Sequence, residues 1–526
     1  MCTQCAQITP LTGGKKDKTP PKALSYQPLN ASTNFNSKSI EIVFDEYLTL
    51  KDVSNQFIIT PQTKETPDIS VSGKKLKVTF SETLLPNTTY KLNFGNAVTD
   101  LNESNVLANF EYIFSTGQTI DSLKLSGQIL YATNLKPAEQ ILVGLYLANS
   151  TDSIIYKDKP LYISKTDATG NFTFNYLPDA PFKLVAIKDQ NKNLMYDGSE
   201  EHIAFSDKEV NTKDSTKISL LLFKEIPSKQ FIKKSFSTEY GKATIIYNKP
   251  TNITHVNAKG LISFSQNTLK DTLTLFYNNK FDSLETYIDY AAQKTDTVLI
   301  KIISEKAFNR QGSKVNYTFR PNYSSLLAFF DIPTFQLNYP VYFKNINTNN
   351  ISIREKGDNE NKELSYKLIG DTGLITSFKL DAALKPETTY TISFLKDAIT
   401  DLVKRTNDST VNTFTTLSAD DYATLNMKLF FPKKENYIVI LLNDKEQIVN
   451  ETMVEFSLNS TSEKIIAYKN LLPGNYFIKI VEDINKNGHF DTGDYFLNKQ
   501  PETIFVNQTA IKLLAGWEIE NEWIVK

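Results

Sequence analysis

The sequence is short of several residue types. Its 526 residues include only 3 histidines, and His202, His255 and His489 stand far apart. No histidine cluster is on hand for acid–base or zinc chemistry. No serine sits in a Gly-x-Ser-x-Gly turn, and no Walker or dinucleotide-binding glycine pattern occurs, which argues against a Ser/His/Asp hydrolase and a nucleotide-binding α/β enzyme. The 2 cysteines, Cys2 and Cys5, both lie in the first five residues, so no intrachain disulfide can staple a module beyond them. Cys2-x-x-Cys5 has no second pair to complete a structural zinc site, and it sits in a polar arm rather than at a helix start, where redox pairs are found. Lys plus Arg number 58 against 59 Asp plus Glu, a net charge of −1. Nucleic-acid binders carry a clustered basic excess, so no nucleic-acid partner is expected. No stretch approaches the ~18 apolar residues of a membrane-crossing helix. Glycine is scarce, at 19 residues.

Aromatic residues are plentiful, with 33 Phe and 26 Tyr. They recur in short alternating runs such as Ile40-Glu41-Ile42-Val43-Phe44 and Leu76-Lys77-Val78-Thr79-Phe80. Alternation of this kind, broken by turn clusters about every 8–12 residues, predicts an all-β chain of sandwiches. Internal repetition is the strongest signal. Leu84-Leu85-Pro86-Asn87-Thr88-Thr89-Tyr90-Lys91-Leu92-Asn93-Phe94 returns 300 residues later as Leu384-Lys385-Pro386-Glu387-Thr388-Thr389-Tyr390-Thr391-Ile392-Ser393-Phe394. Both copies run on into Ala-x-Thr-Asp-Leu and end on Phe114-Ser115-Thr116 or Phe414-Thr415-Thr416. Proline stops one strand in each copy, and Tyr, Leu or Ile, and Phe then alternate along the buried face of the next. A second kind of unit follows each: Thr166-Asp167…Gly170-Asn171-Phe172-Thr173-Phe174 with Leu177-Pro178, and later Leu472-Pro473-Gly474-Asn475-Tyr476. The expected order is a flexible tether (1–21), a sandwich (22–118), a second type of sandwich (119–226), a β-rich middle domain (227–328), a diverged copy of the first (329–418) and of the second (419–526). In the middle domain the run from Leu284 to Ala292 reads equally as a short helix or an edge strand.

One constellation carries candidate chemistry. After the Leu-Pro strand of each second-type unit comes an acidic, Asn-rich loop. The first offers Asp189, Asn191, Asn193, Asp197 and Glu200; the second, 294 residues later, offers Asp483, Asn485, Asn487, Asp491 and Asp494. Oxygen side chains at loop positions 1, 3, 5, 9 and 12 have the spacing of a calcium loop, with Met195 and His489 at position 7 supplying backbone only. Position 6, where the sharp turn favours Gly, is Gly488 in one copy and Leu194 in the other. The same residues would equally serve a hairpin loop whose Asn and Asp side chains cap local N–H groups. Calcium is the only cofactor expected. Trp517 and Trp523 are expected to pack against the last sandwich rather than form a sugar platform.

Three resemblances follow from these residues. Residues ~20–118 resemble a bacterial Ig-like domain of the S-layer type, through Thr19-Pro20-Pro21, Phe44-Asp45-Glu46, Leu85-Pro86-Asn87-Thr88-Thr89-Tyr90 and Phe114-Ser115-Thr116-Gly117. The second-type units are similar to transthyretin-like or Cna B-type sandwiches. The start, Cys5-Ala6-Gln7 followed by Thr12-Gly13-Gly14-Lys15-Lys16-Asp17-Lys18-Thr19-Pro20-Pro21, resembles the mature start of Bacteroidota surface lipoproteins, which makes Cys5 the expected lipidation site. The chain opens Met1-Cys2-Thr3-Gln4, so a signal peptide is expected to have been trimmed away or to lie outside this sequence. The resemblances imply a non-enzymatic, extracytoplasmic protein at the outer membrane or cell surface, working as a spacer, adhesin or scaffold. The alternative is a carbohydrate- or protein-binding subunit of an outer-membrane complex. The implied partners are a protein or glycan at the cell surface, and the membrane through a lipid if Cys5 is acylated.

Overall fold

The computed structural model describes residues 16–526 apart from 215–216, 279–280, 292–293, 311–318, 322–324, 329, 358–360, 403 and 458–460. Cys5 lies outside the described residues. The chain is all-β and multi-domain; the described helices are single turns or little more, the longest being Glu305–Arg310. Two compact units are formed: Met1–Ile226 with Glu435–Ile438 and Lys479–Val506, and Pro227–Lys434 with Val439–Ile478 and Asn507–Lys526.

In the first unit, strands from Ala23–Gln27 to Glu111–Ser115 build the opening sandwich. Thr89–Asn93 pairs antiparallel with Glu111–Ser115, and Tyr90, Leu92, Tyr112 and Phe114 are buried, as their alternation requires. Tyr90 closes the Pro86 turn: its hydroxyl accepts the Leu85 N–H at 2.9 Å, five residues back, the geometry of a tyrosine corner. The copy in the second unit repeats the arrangement. Tyr390 accepts the Lys385 N–H at 2.8 Å, and Thr388 N donates to Thr416 Oγ1 at 3.0 Å as Thr88 N does to Thr116 Oγ1 at 3.0 Å. The buried aspartate of the Thr-Asp-Leu element is where the copies part. Asp100 takes N–H bonds from Glu103, Ser104 and Asn105. Burial works against its charge, but the backbone donors prevail and its acidity is raised. Asp401 is paired instead with Arg405, Nε to Oδ2 at 2.6 Å, and the guanidinium lies 3.6 Å from the centre of the Tyr339 ring.

The second-type sandwiches share a topology. Leu123–Tyr131 pairs antiparallel with Asn171–Leu177 and parallel with Ile218–Lys224; Ala423–Phe430 pairs antiparallel with Glu463–Leu471 and parallel with Glu518–Ile524. In the earlier copy Gly170, at φ +75°, backs onto the Ile129 carbonyl so closely that a Cβ would lie 2.5 Å from its oxygen. In the middle domain, strands run from Ile232–Glu239 to Thr295–Lys301 in a four-stranded and a three-stranded sheet. The ambiguous run is neither helix nor edge. Ser283–Tyr290 is the central strand of the three-stranded sheet, with Leu284, Thr286, Ile288 and Tyr290 buried. Both its edges are hydrogen-bonded, which resolves a sequence that periodicity leaves open.

Candidate functional site

Both acidic loops connect neighbouring antiparallel strands. The first lies between Pro181–Ile187 and His202–Phe205, which pair through Ile187 and Ile203. The second lies between Gly474–Glu482 and Ile504–Val506, paired through Val481 and Ile504. No helix pair flanks either loop.

The chain wraps each loop around its own side chains. Asp189 accepts N–H bonds from Lys192 (2.7 Å) and Leu194 (2.9 Å), Asn191 Oδ1 from Asn193 (3.0 Å), and Asn193 Oδ1 from Met195 (2.8 Å). The second loop repeats three of these four bonds, and its aspartate takes the N–H of position 5 in place of position 4. Asp483 accepts from Asn487 (3.1 Å) and Gly488 (3.0 Å), Asn485 from Asn487 (3.1 Å), and Asn487 from His489 (3.0 Å). Successive Asn and Asp carbonyl oxygens that each catch an N–H a few residues on coil the backbone tightly. The coil needs left-handed residues at positions 4 and 6: Lys192 and Leu194 at φ 62° and 64°, Lys486 and Gly488 at 63° and 78°. Leu194 thus takes the turn that Gly488 makes in the other copy, against the steric preference of a side chain.

Position 9 gathers the rest. Asn191 Nδ2 and Asn193 Nδ2 donate to Asp197 Oδ2 at 2.6 and 3.0 Å; Asn487 Nδ2 donates to Asp491 Oδ1 at 3.1 Å, and Asn485 Nδ2 to Asp491 Oδ2. Two amides and one carboxylate turn toward a common centre in each loop. Rotating one of these amides by half a turn would set its NH2 against a backbone N–H and its oxygen against the carboxylate, so the hydrogen bonds fix the orientation.

Position 12 is not the residue that accepts the closing N–H bonds of either loop. Glu200 points outward, its carboxylate 3.7 Å from Lys224 Nζ. The residue that closes the first loop is Glu201, which accepts Gln190 N–H at 2.9 Å and Asp197 N–H at 3.1 Å and is 3 % exposed. Asp494 also stands apart: it caps a turn by accepting Leu497 N–H at 2.9 Å, and its backbone pairs with Lys499. The closing role belongs to Glu502, which accepts Ile484 N–H at 3.1 Å and Asp491 N–H at 2.9 Å. The glutamate lies just before the returning strand in both copies, so the strand and not the count from the first aspartate positions it. The shared signal in the sequence is Glu-x-Ile, Glu201-His202-Ile203 and Glu502-Thr503-Ile504. Burial pushes the Glu502 carboxyl up, N–H bonds from Asp491 and Ile484 oppose this, and the Asp491 and Asp483 charges add to the rise.

Among the described residues no three His, Cys, Asp or Glu side chains form a metal-holding group. The Asp, Asn and Glu oxygens of both loops accept backbone N–H bonds of the loops themselves, so a cation there would have to displace part of that network. Oxygen donors of this kind are the type a hard ion such as calcium takes. Elsewhere, His202 is half-buried, and burial, then Lys188 and Lys224, keep it less basic than usual. Trp517 is 49 % exposed, so it is packed less completely than expected.

Residues 17–116 match the family described as "Bacterial Ig-like domain". No curated protein matches the chain. Among solved structures, the S-layer protein rSbsC is 12% identical, with 94% of this chain and 68% of that one covered at a TM-score of 0.15. BcpA, the major pilin subunit of Bacillus cereus, is 10% identical over 76% of this chain and 99% of that one at 0.14. Salmonella alpha-2-macroglobulin reacted with methylamine is 8% identical over 95% and 43% at 0.15. Likeness this slight carries no property of those proteins over to this one.

Proposed function

We propose that the chain is a non-enzymatic, extracytoplasmic protein that works at the cell surface as a spacer, adhesin or scaffold, held by a lipid on Cys5 and stiffened by calcium in its two Asn/Asp loops. The observation that carries the reading is the bacterial Ig-like segment at 17–116, set in an all-β chain whose motifs recur. Modules of this kind present rigid surfaces and reach, and their cores are spent on packing. In the second loop Glu502 is buried beside the charges of Asp491 and Asp483, a situation a bound cation would relieve. At a dissociation constant of ~10⁻⁴ M and about 1–2 mM calcium, each site would add about 1.5 kcal/mol, enough to order a loop and too little to fold a module.

The test is a thermal melt of the full chain in EDTA and in millimolar calcium. The reading expects a rise in midpoint with calcium that Asp189→Ala plus Asp483→Ala abolishes. Identical melts in both conditions would remove calcium from the account. Labelling of intact cells with an antibody to the chain tests the location: protection of the chain until the cells are broken would contradict it.

A second reading is a carbohydrate- or protein-binding subunit of an outer-membrane complex. The half-exposed indole of Trp517 favours it, since aromatic faces stack on sugars. Glycan-array binding lost in Trp517→Ala would support it, and silence on the array leaves the scaffold reading ahead.

A further inference from the structure

The second loop contains more chain than the first. From Gln190 to Glu201 is 11 residues, whereas from Ile484 to Glu502 is 18. The extra chain is the hairpin after Asp491, closed by the Asp494–Lys499 backbone pair. It does not hang free. Within the first unit it lies on the second sandwich (123–224) and the residue that follows it.

The contacts are specific. Gly493 sits against Phe223 so closely that a Cβ would be 2.5 Å from the ring. Thr492 Oγ1 donates to the Lys224 carbonyl at 2.8 Å. The Tyr495 ring meets Phe205 edge-on at 5.2 Å, and Phe496 stacks on Tyr156 at 5.3 Å with 6° between planes. Gln500 Nε2 donates to the Phe205 carbonyl at 3.0 Å and to Asp207. Glu225 joins the two loops. One carboxylate oxygen accepts Tyr495 N–H at 2.6 Å, and the other accepts the hydroxyl of Tyr196 at 2.8 Å. Tyr196 is position 8 of the first loop, 1 % exposed, and its ring packs at 5.4 Å on the same Tyr156 that holds Phe496.

We infer that the second sandwich carries an interaction surface for the chain's own hairpin 491–500, and that through Glu225 and Tyr156 this contact makes loops 189–201 and 483–502 open and close together. The surface fits a turn that brings a small residue, a hydroxyl and two consecutive aromatic rings. One carboxylate shared by donors from both loops is what links them: when the hairpin leaves, Glu225 loses its Tyr495 partner and Tyr156 loses its stacking ring, so the buried Tyr196 hydroxyl sits beside a group free to turn toward water. The coupling rests on contacts between protein groups alone and does not depend on the calcium reading.

Hydrogen exchange of the full chain in EDTA tests it, with peptides covering 189–201 and 491–500 followed separately. Tyr495→Ala plus Phe496→Ala is expected to speed exchange in 491–500 and, at a distance in sequence, at least tenfold in 189–201. Glu225→Gln keeps the shape and is expected to speed both segments by a smaller factor, which covers the case in which the double variant does not fold. Faster exchange in 491–500 with 189–201 unchanged, in either variant, overturns the inference. Because no calcium is present, the outcome is separate from the melts that decide the calcium reading.

Discussion

The two Asn/Asp loops hold the same hydrogen-bonded coil and reach it with different sequences. In the first, Glu201 follows directly after a short return; in the second, Glu502 comes after a hairpin that packs on another module. In the first, Leu194 is forced into the left-handed turn that Gly488 makes freely in the second. The coil is therefore set by Asn and Asp side chains catching nearby N–H groups and by a glutamate delivered by the returning strand. The chain between those points is open to change.

The largest expected effect breaks the closing glutamates. Glu201→Ala or Glu502→Ala removes a buried carboxylate that takes two N–H bonds, and bonds to charged groups are each worth about 1.5–3 kcal/mol. A loss of about 3 kcal/mol, the lower end for two such bonds, is expected in the sandwich concerned, because the buried carboxylate also carries a desolvation cost. Denaturant unfolding followed by far-UV circular dichroism should register the loss in either variant. Next comes the turn. Gly488→Ala places a Cβ at φ 78° and should cost about 1–2 kcal/mol, while Leu194→Gly should relieve the same strain in the other loop, partly offset by lost contact of a half-buried leucine. Midpoints moving in opposite directions would sharpen the comparison, and equal losses would break it.

A pH effect is smaller. The folded Glu502 carboxyl is raised above its ordinary 4.5, so the folded state binds the proton more tightly than the unfolded one. Its contribution is greatest below that ordinary value and declines as pH rises through the folded one. Glu502→Gln should remove this decline in the window just above pH 4.5. The smallest effects are expected at exposed Glu200 and at Asp494, where Asn keeps the turn-capping oxygen: Glu200→Gln and Asp494→Asn should each stay within about 0.5 kcal/mol.

Much of the fold could be read because it is local. Tyr90, Leu92 and Phe94 alternate with polar neighbours and are buried as a strand face, and the repeated Pro turn finds its tyrosine in both copies. Asp189 to Asp197 and Asp483 to Asp491 also contact neighbours a few residues away, so a tightly coiled loop is legible in their spacing. The places of Glu201 and Glu502 are fixed by strand pairing, which a count along a loop does not contain. The strand Ser283–Tyr290 reads two ways along the chain because its place between two partners is a tertiary fact. The hairpin contact with Glu225 had no local trace, since its partners stand 270 residues apart.

The most direct measurement of the central claim, that Glu201 and Glu502 close equivalent loops, is denaturant unfolding of four single variants, Glu201→Ala, Glu200→Ala, Glu502→Ala and Asp494→Asn, followed by hydrogen exchange in each loop. The account predicts faster exchange of 189–201 in Glu201→Ala and of 483–491 in Glu502→Ala, with loops like the parent protein in Glu200→Ala and in Asp494→Asn, which keeps the acceptor for Leu497 N–H. Opening of the loops by Glu200→Ala and Asp494→Asn, with Glu201→Ala and Glu502→Ala silent, would contradict it.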